Sequence, residues 1–233
     1  MALMQGFLLE WIRVWFRLSF EVNLKMANRK PPEKILRRPG IERRTRLLQA
    51  ARTLLARTDM TEINLTDVAR FADIPVSSAY FFYEDIEDLY LHLLADIDAE
   101  MIADISRPLR VVPAAWQEVI HSLIARGVRF YAKHPAARQL ITGPRTPPEL
   151  KLRDRKNDVS LGHIFRSQVA RYFKIPGLRD AGAIFYRAVE IADLMFCLSV
   201  LEHGKITATM ADEAANACIA YLEFHIGRDL PRC

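Results

Sequence analysis

The sequence predicts an all-α fold in which a small N-terminal helix-turn-helix head precedes a larger helical bundle. Apolar residues recur three or four positions apart almost throughout the chain after residue 40, which is the spacing of an amphipathic helix. No stretch alternates apolar and polar residues as a half-buried strand would. The chain has 233 residues, of which 51% are hydrophobic, so it can bury a substantial core.

The first 40 residues are predicted to be an N-terminal extension and a basic arm. Charged residues interrupt the apolar stretch over residues 1–25, leaving no run of the ~20 apolar residues that a bilayer crossing needs, so we expect no stable membrane insertion. The stretch also lacks the basic start and small-residue cleavage site of a secretory signal. Two alternatives remain open: an interfacial or partner-binding amphipathic helix, or a native chain that begins at Met26.

Positive charge concentrates directly ahead of the predicted helix-turn-helix. Residues 29–57 contain ten basic and two acidic side chains, a local net charge of +8. In that position a basic arm is typical of a phosphate clamp or a minor-groove reader. The alternative is a solvated tail that only aids solubility.

The first helix of the head is predicted from about residue 41 to residue 58. Its apolar stripe has helical spacing and is expected to cover the two helices that follow; it consists of Leu47, Ala50, Ala51, Leu54 and Leu55.

The helix-turn-helix itself is predicted over residues 64–83. Asn64 can cap the first helix with Asp67, and the inner face of that helix comprises Leu65, Val68, Ala69 and Ala72. A turn follows at Asp73 and Ile74, where aspartate tolerates a left-handed backbone better than most residues. Pro75 suits the first turn of the second helix, because its missing N–H costs nothing there.

The second helix, from about 75 to 83, is expected to face outward with Ser77, Ser78, Tyr80 and Phe81, while Ala79 and Phe82 or Tyr83 turn inward. Hydroxyl and phenol groups suit base edges and phosphate oxygens, so the motif indicates binding to double-stranded DNA. The predicted DNA-binding residues are Arg43, Arg44, Arg46, Asn64, Thr66, Pro75, Val76, Ser77, Ser78, Tyr80, Phe81 and Phe82.

Five further helices are predicted after the head domain of residues 41–90, and they make up a second domain of residues 91–233. They run from about 85 to 106, 113 to 134, 149 to 173, 179 to 203 and 209 to 226, with a loop over residues 143–148. The stripe of the helix at 85–106 is longer than a small head requires, so this helix is expected to belong to both domains. The segment 194–201 carries no charge and must be covered on nearly every side.

An apolar second domain of this kind is expected to enclose a small-molecule pocket. The candidate ligand-binding residues are Trp116, His121, Phe130, Tyr131, Phe165, Tyr186 and Met195. For each of them the alternative is ordinary core packing. His121 shares a face with Ile124 and Val128 and either reads a polar group of a ligand or is a core histidine bonded to a carbonyl.

The head resembles that of the TetR family of bacterial transcriptional regulators over about residues 41–94. The residues that overlay the family pattern without a gap are Val68, Ala69, Ala72, Asp73, Ile74, Pro75, Ser77, Ser78, Ala79, Tyr80, Phe82, Tyr83, Ile86, Glu87 and Leu89. Four positions depart from it: Asp73 replaces a glycine, Pro75 a serine, Asn64 a threonine, and Ile86 a lysine that looks like a phosphate contact. Ile86 stands beside four acidic residues, so the loss of the lysine is expected to weaken binding to the DNA backbone at this edge. The arm arginines are expected to compensate for the weaker binding.

The resemblance implies a homodimer that binds a roughly palindromic operator, with one recognition helix in each half-site. A cytoplasmic location is expected from the scattered cysteines, which form no disulfide framework. The last two helices would form the dimer interface, the alternative being that they fill their own subunit's core. A small-molecule effector of unknown identity would stabilise a dimer whose heads are wrongly spaced for DNA, as in a repressor.

Other classes of function find less support in the sequence. The sequence contains no nucleophile elbow, no phosphate-binding glycine loop and no di-iron Glu-x-x-His pair, so we expect that the protein is not an enzyme. Three cysteines without paired spacing, Cys197, Cys218 and Cys233, and histidines outside any metal-like spacing predict no metal and no cofactor. The remaining alternative is a helical interaction protein or a membrane-docked protein that uses the head as a scaffold.

Overall fold

A computed structural model describes residues 38–233, and this part of the chain consists of nine α-helices and one short 3-10 helix, Met60–Glu62. The helices are α1 (Arg38–Leu54), α2 (Leu65–Phe71), α3 (Val76–Phe82), α4 (Ile86–Ile105), α5 (Trp116–Lys133), α6 (Pro135–Leu140), α7 (Pro148–Ala170), α8 (Ala181–His203) and α9 (Ala208–Ile226). The predictions for residues 1–37, including a start at Met26 and the first part of the basic arm, lie outside the described residues.

Helices α1 to α3 bury a common core in the head. Leu47, Ala51, Val68 and Ala79 are completely buried, and the partly buried Phe82 packs against them. Small residues at the contact allow α2 and α3 to approach closely, as predicted from Ala69 and Ala72. Helix α1 ends at Leu54, four residues before the predicted end, because the Arg57 and Thr58 amides bond to the Leu54 carbonyl and close a tight turn.

Helix α4 packs against both the head and the bundle, as its long apolar stripe predicts. Its buried residues extend from Leu89 to Ile105 and belong to one continuous core that runs from the head into the bundle. Side chains of the bundle cap its C-terminal end: the Gln168 amide donates to the Ser106 carbonyl at 2.7 Å, and Arg126 donates to the carbonyls of Ile105 and Pro108 at 3.3 and 2.8 Å. The end of α4 is thereby fixed to α5 and α7.

The bundle is formed by α4, α5, α7, α8 and α9. Helix α8 packs most extensively against α7 on one side and α9 on the other, and α9 also packs against α5. Helix α5 ends at Lys133, one residue before its predicted end, and Pro135 then opens the short α6 at its first position. Helix α9 begins at Ala208, one residue before its predicted start, and Thr207 is its cap, since the Thr207 hydroxyl accepts the Met210 amide at 3.2 Å.

The charge-free segment of α8 is covered on only part of its surface within this subunit. Phe196, Ser199 and Val200 are buried, whereas Leu194 and Leu201 are 60% and 61% exposed. The expectation that the segment is covered on nearly every side therefore fails for the single chain. No helix among residues 38–233 is both long enough and apolar enough to cross a bilayer.

Candidate functional site

The helix-turn-helix is held by local hydrogen bonds that the sequence predicts. The Asn64 side chain accepts the Asp67 amide at 3.0 Å, and the Asp67 carboxylate accepts the Asn64 amide at 3.2 Å, which completes a capping box at the start of α2. The orphaned amides of the first turn are thus partly satisfied by the motif itself.

The turn between α2 and α3 adopts the left-handed backbone expected at its aspartate. Asp73 has a φ of 52°, the only positive value at a non-glycine residue among those described. The Arg46 guanidinium on α1 donates to the carbonyls of Ala72 and Asp73 at 2.5 and 3.1 Å. Arg46 therefore stabilises the turn, a role that the sequence analysis missed because the two segments are far apart in the chain.

Helix α3 exposes an aromatic and hydroxyl face. Tyr80 and Phe81 are 54% and 56% exposed, and Ser77 is also open to solvent, while Ala79 and Tyr83 are buried. Val76, Ser78 and Phe82 are half-buried, and Pro75 is exposed directly before the helix. Ser77, Tyr80 and Phe81 are thus outward as predicted, whereas Ser78, also predicted outward, is half-buried. Tyr83 is turned inward, and so is Phe82, one of the predicted DNA-binding residues.

The predicted basic contacts differ in their surroundings. Arg43 is exposed, whereas Arg44 is half-buried and close to the Tyr83 phenol. Burial raises the pKa of Tyr83 to about 12, and the Arg44 guanidinium acts in the opposite direction. Asn64 is exposed and Thr66 half-buried on α2.

Two of the acidic side chains at the start of α4 accept backbone amides and so cap the helix. Asp85 accepts the Asp88 amide at 2.8 Å, and Asp88 accepts the Glu84 amide at 3.0 Å. Ile86, the residue in place of the family's lysine, is half-buried and packs against the core. The apolar side chain at this position thus adds to the packing of the head.

The predicted ligand-binding residues do not converge on one site. Trp116 is buried and its indole N–H donates to the Arg228 carbonyl at 3.0 Å, which ties the C-terminal segment to α5. The expectation that His121 faces the interior was wrong: α5 buries the face centred on Val119 and Leu123, and His121 is exposed. Phe165 is in the core, and Tyr186 and Met195 are half-buried.

Phe130 lies beside an open cleft of about 1030 Å³ between α4 and α5. Its ring stacks on His134 with centroids 4.3 Å apart. The cleft is bordered mainly by charged side chains, among them Glu100, Arg107, Arg110, Arg126, Arg129 and Lys133. Glu100 in turn accepts both guanidinium nitrogens of Arg52 on α1 at 2.8 Å.

Tyr131, by contrast, faces a cluster of carboxylates inside the bundle. These carboxylates come from α4, α7 and α8, and we call them the acidic core: Asp98, Asp154, Asp158 and Asp193. The first three are only 6%, 6% and 4% exposed. Burial raises the pKa of Tyr131, and the nearby carboxylates raise it further.

The electrostatics of the acidic core are those of like charges removed from water. Burial raises the pKa of Asp98 to about 6, which Arg153 opposes. Burial also raises the pKa values of Asp154 and Asp158 well above the ordinary range, and the neighbouring carboxylates add to the rise. The pKa of Asp193 is raised by burial and lowered by Lys151.

Sequence reasoning missed the acidic core, although one signal was present. Asp98 falls on the apolar stripe of α4, four residues after Leu94 and three before Met101, where a solvated charge is not expected. Asp154 and Asp158 lie in α7, for which the sequence predicted only a helix over about residues 149–173.

The architecture and the exposed α3 define a helix-turn-helix protein of the transcriptional-regulator class, with a helical second domain. Residues 114–226 match the protein-family model described as "Tetracyclin repressor-like, C-terminal domain". The second domain therefore belongs to the family of tetracyclin repressor-like C-terminal domains.

Solved structures of TetR-family regulators share this fold. A TetR-family transcriptional regulator from Streptomyces coelicolor is 19% identical with a TM-score of 0.62, the match covering 78% of this chain and 98% of that one. A TetR transcriptional regulator from Rhodococcus sp. RHA1 is 16% identical with a TM-score of 0.58 and coverages of 78% and 96%. The multidrug binding protein EbrR complexed with imidazole is 17% identical, with a TM-score of 0.54 and coverages of 77% and 94%. No curated protein matches the sequence.

Proposed function

We propose that this chain is a homodimeric repressor that reads operator DNA with α3 and is controlled by a small molecule bound in its second domain. The observation that carries the proposal is the capped helix-turn-helix with an exposed Tyr80, Phe81 and Ser77 on its second helix. A short helix of this kind can enter the major groove and present its side chains to base edges.

The basic residues near α3 have different proposed roles, which follow from their contacts in the structure. Arg43 is exposed, and Arg44 lies one residue on, beside the buried Tyr83, so both are suited to phosphate contacts next to α3. Arg46 already donates to the α2–α3 turn, so its contribution is mainly to hold α3 in position. Asn64 and Thr66 at the start of α2 are placed to approach the backbone of the adjacent groove.

The proposed dimer uses the exposed apolar surface of the last two helices. Leu194, Leu198 and Leu201 follow helical spacing along one side of α8 and are 60%, 37% and 61% exposed, and Phe224 of α9 is 86% exposed. A stripe of large apolar side chains on a single subunit is typical of a surface that a partner covers. The partner proposed here is a second copy of the chain.

The dimer is tested by placing a charge on this stripe. Leu194→Asp buries an unpaired carboxylate at the interface and is expected to weaken dimerisation by about a hundredfold or more, measured by sedimentation velocity. Val111→Asp is the matched control, because Val111 is 77% exposed in a loop outside the stripe. If Leu194→Asp and Val111→Asp both remain dimeric at the wild-type concentration, the interface is elsewhere.

Control by a ligand requires a mechanical link from the bundle to the head, and two sets of contacts support one. The side chain of Gln139, the last residue but one of α6, accepts the Met60 amide at 2.8 Å and donates to the Leu55 and Thr58 carbonyls at 2.5 and 2.9 Å. The Tyr90 hydroxyl of α4 also donates to the Met60 carbonyl at 3.2 Å. A shift of α4 or α6 is therefore transmitted to the connection between α1 and α2.

The second set is the ion pair between Arg52 on α1 and Glu100 on α4. Both terminal nitrogens of Arg52 donate to the Glu100 carboxylate. Glu100 lies on α4, two residues after Asp98 of the acidic core. A repressor of this design would lose its operator when the ligand favours a dimer whose heads are wrongly spaced. EbrR, which has the same fold, is described as multidrug-binding, and this agrees with a small-molecule ligand here.

DNA reading is tested with two substitutions of different expected character. Tyr80→Ala removes an exposed base-facing side chain and is expected to weaken operator binding by about tenfold to a hundredfold while leaving random DNA nearly unaffected. Arg44→Ala is expected to weaken binding to both DNAs and to reduce the salt slope by about one unit. Fluorescence anisotropy over a salt series measures both.

Tyr80→Phe is the matched control because it keeps the ring and removes only the hydroxyl. Equal losses on operator and random DNA from Tyr80→Ala would show that Tyr80 contacts only phosphates. No salt-dependent binding of the wild-type protein to either DNA would contradict the proposed function.

A further inference from the structure

We propose that the open cleft between α4 and α5 binds a small organic anion, in which a negatively charged group is attached to an apolar body. We call this cleft the basic cleft; its walls are the C-terminal end of α4, the loop that follows and one side of α5. Its volume of about 1030 Å³ is large enough for a small molecule, for which sites of roughly 300–1,000 Å³ are usual. Binding of the anion is a property of the second domain, and only its effect on the head rests on the proposed function.

Positive charge in the basic cleft exceeds negative charge, and part of it is unpaired. One of the two carboxylates that border the cleft, Glu100, is paired with Arg52 of the head. The other, Asp104, is paired with Arg107 at 3.2 Å. Three basic side chains of the cleft make no ion pair and no hydrogen bond within residues 38–233, and these are Arg110, Arg129 and Lys133. An anion therefore meets cationic groups whose charge no carboxylate of the described residues neutralises.

The wall that the loop forms is already fixed by Arg126 of α5. The Arg126 guanidinium donates to the carbonyls of Ile105 and Pro108 at 3.3 and 2.8 Å, and also to that of Arg107. Because the loop is held before any ligand arrives, binding requires little additional ordering of the chain.

The cations of the basic cleft lie close enough to repel one another. Burial lowers the pKa of Arg126, an effect that Asp104 opposes. The positive charges of Arg129 and Arg107 lower it further. Like charges held together at one place favour an opposite charge between them, so a bound anion relieves this repulsion.

Apolar side chains in the same cleft favour an organic anion over a bare inorganic ion. Phe130 lines the cleft and stacks on His134 with ring centroids 4.3 Å apart. From the loop, Leu109 and Val111 line it as well, and Val111 is 77% exposed. Guanidinium groups beside apolar side chains recognise the charged group of a ligand by charge-assisted hydrogen bonds and its body by apolar contact.

The basic cleft is connected to the head through Glu100. The two oxygens of this carboxylate accept from Arg52 on α1 at 2.8 Å, and His134 lies 3.8 Å from it. An anion bound to Arg129 and Lys133 occupies cations that otherwise compete for Glu100, so it favours the pair with Arg52. By linkage, loss of Arg52 has to weaken anion binding, because the released carboxylate then competes with the ligand.

The experiment uses the full chain without DNA, so that it can fail independently of the proposed function. Isothermal titration calorimetry compares 3-phenylpropionate with 3-phenylpropan-1-ol, 3-phenylpropylammonium and inorganic phosphate. We expect saturable heat from 3-phenylpropionate, weaker binding of phosphate, and no binding of the alcohol or the ammonium compound. Arg129→Gln should weaken binding of 3-phenylpropionate by about tenfold, since it removes a charged donor. Arg166→Gln is the matched control, because Arg166 is exposed on α7 outside the cleft.

Glu100→Gln should have the opposite effect and strengthen binding by about threefold, because a like charge leaves the wall of the cleft. Asp96→Asn is its matched control, since Asp96 is exposed on the same helix and does not line the cleft. Arg52→Met should weaken binding by about threefold, although Arg52 is outside the cleft, and should have no such effect when combined with Glu100→Gln.

Should Arg129→Gln fail to fold, Lys133→Gln provides the same test. Equal binding of the alcohol and the carboxylate, or binding of inorganic phosphate as tight as that of 3-phenylpropionate, overturns the inference. So does unchanged binding in the folded arginine or lysine variant, or a Glu100→Gln variant that binds 3-phenylpropionate more weakly than the wild type.

Discussion

The head and the acidic core treat their polar groups in opposite ways. In the head, Asn64 and Asp67 cap each other, and Arg46 satisfies the carbonyls of the turn that Asp73 forms. In the acidic core, Asp158 retains a buried oxygen without a donor among the described residues, and its neighbours are other carboxylates. The polar groups of the head are arranged for a fixed geometry, whereas burial of the acidic core favours the uncharged forms of its carboxyl groups.

The largest expected contrast between the two regions concerns pH. A carboxyl group whose pKa is raised on folding stabilises the protein below its ordinary pKa of 3.8, and that contribution is lost as pH rises through the raised value. Burial raises the pKa of Asp98 to about 6 and those of Asp154 and Asp158 well above normal. The wild-type free energy of unfolding should therefore fall between pH 5 and pH 8, by on the order of a few kcal/mol summed over the cluster.

Urea unfolding of the wild type and of Asp158→Asn at both pH values measures this contrast. The variant should be more stable than the wild type at pH 8 and lose less stability between the two, because one carboxylate no longer has to be buried. Asp96→Asn should follow the wild type. A variant that is less stable than the wild type at pH 8 would contradict a net cost of burying the Asp158 carboxylate.

A substitution in the head is expected to change the free energy of unfolding less than Asp158→Asn does, and in the opposite direction. Asn64→Ala removes the capping oxygen of α2 and should lower the free energy of unfolding by about 1 kcal/mol at every pH between 5 and 8. Asn64→Ser retains an oxygen acceptor and should recover most of the loss. The same urea unfolding experiments compare the two variants, and a loss that depends on pH would couple the cap to titrating groups that we do not place there.

The same contrast explains what the sequence could and could not predict. The cap at Asn64, the left-handed turn at Asp73 and the outward face of α3 depend on residues three or four apart, so local patterns predicted them. The acidic core joins Asp98 to Asp158, sixty residues later, through packing that no local pattern encodes. The contact of Arg46 was missed for the same reason, since its carbonyl partners, Ala72 and Asp73, lie in the turn between α2 and α3.

Errors in the bundle have the same origin. His121 was expected to face inward because it shares a spacing with Ile124, yet packing of α5 on its neighbours buries the face one residue away. The segment 194–201 was expected to be covered either by a second subunit or by its own core, and the single chain leaves Leu194 and Leu201 exposed. The surroundings of a helix decide which of its adjacent faces is buried, and the sequence of the helix alone gives only the spacing.

The central claim is that α3 reads a specific operator. Sequencing of DNA fragments captured by the purified wild-type protein and by Tyr80→Ala tests it most directly. The account predicts that the wild type enriches one roughly palindromic site with half-sites about one helical turn apart, and that Tyr80→Ala loses the enrichment while still retaining DNA at low salt. A wild-type protein that captures fragments without any common site, or a Tyr80→Ala variant that enriches the same site equally well, would contradict it.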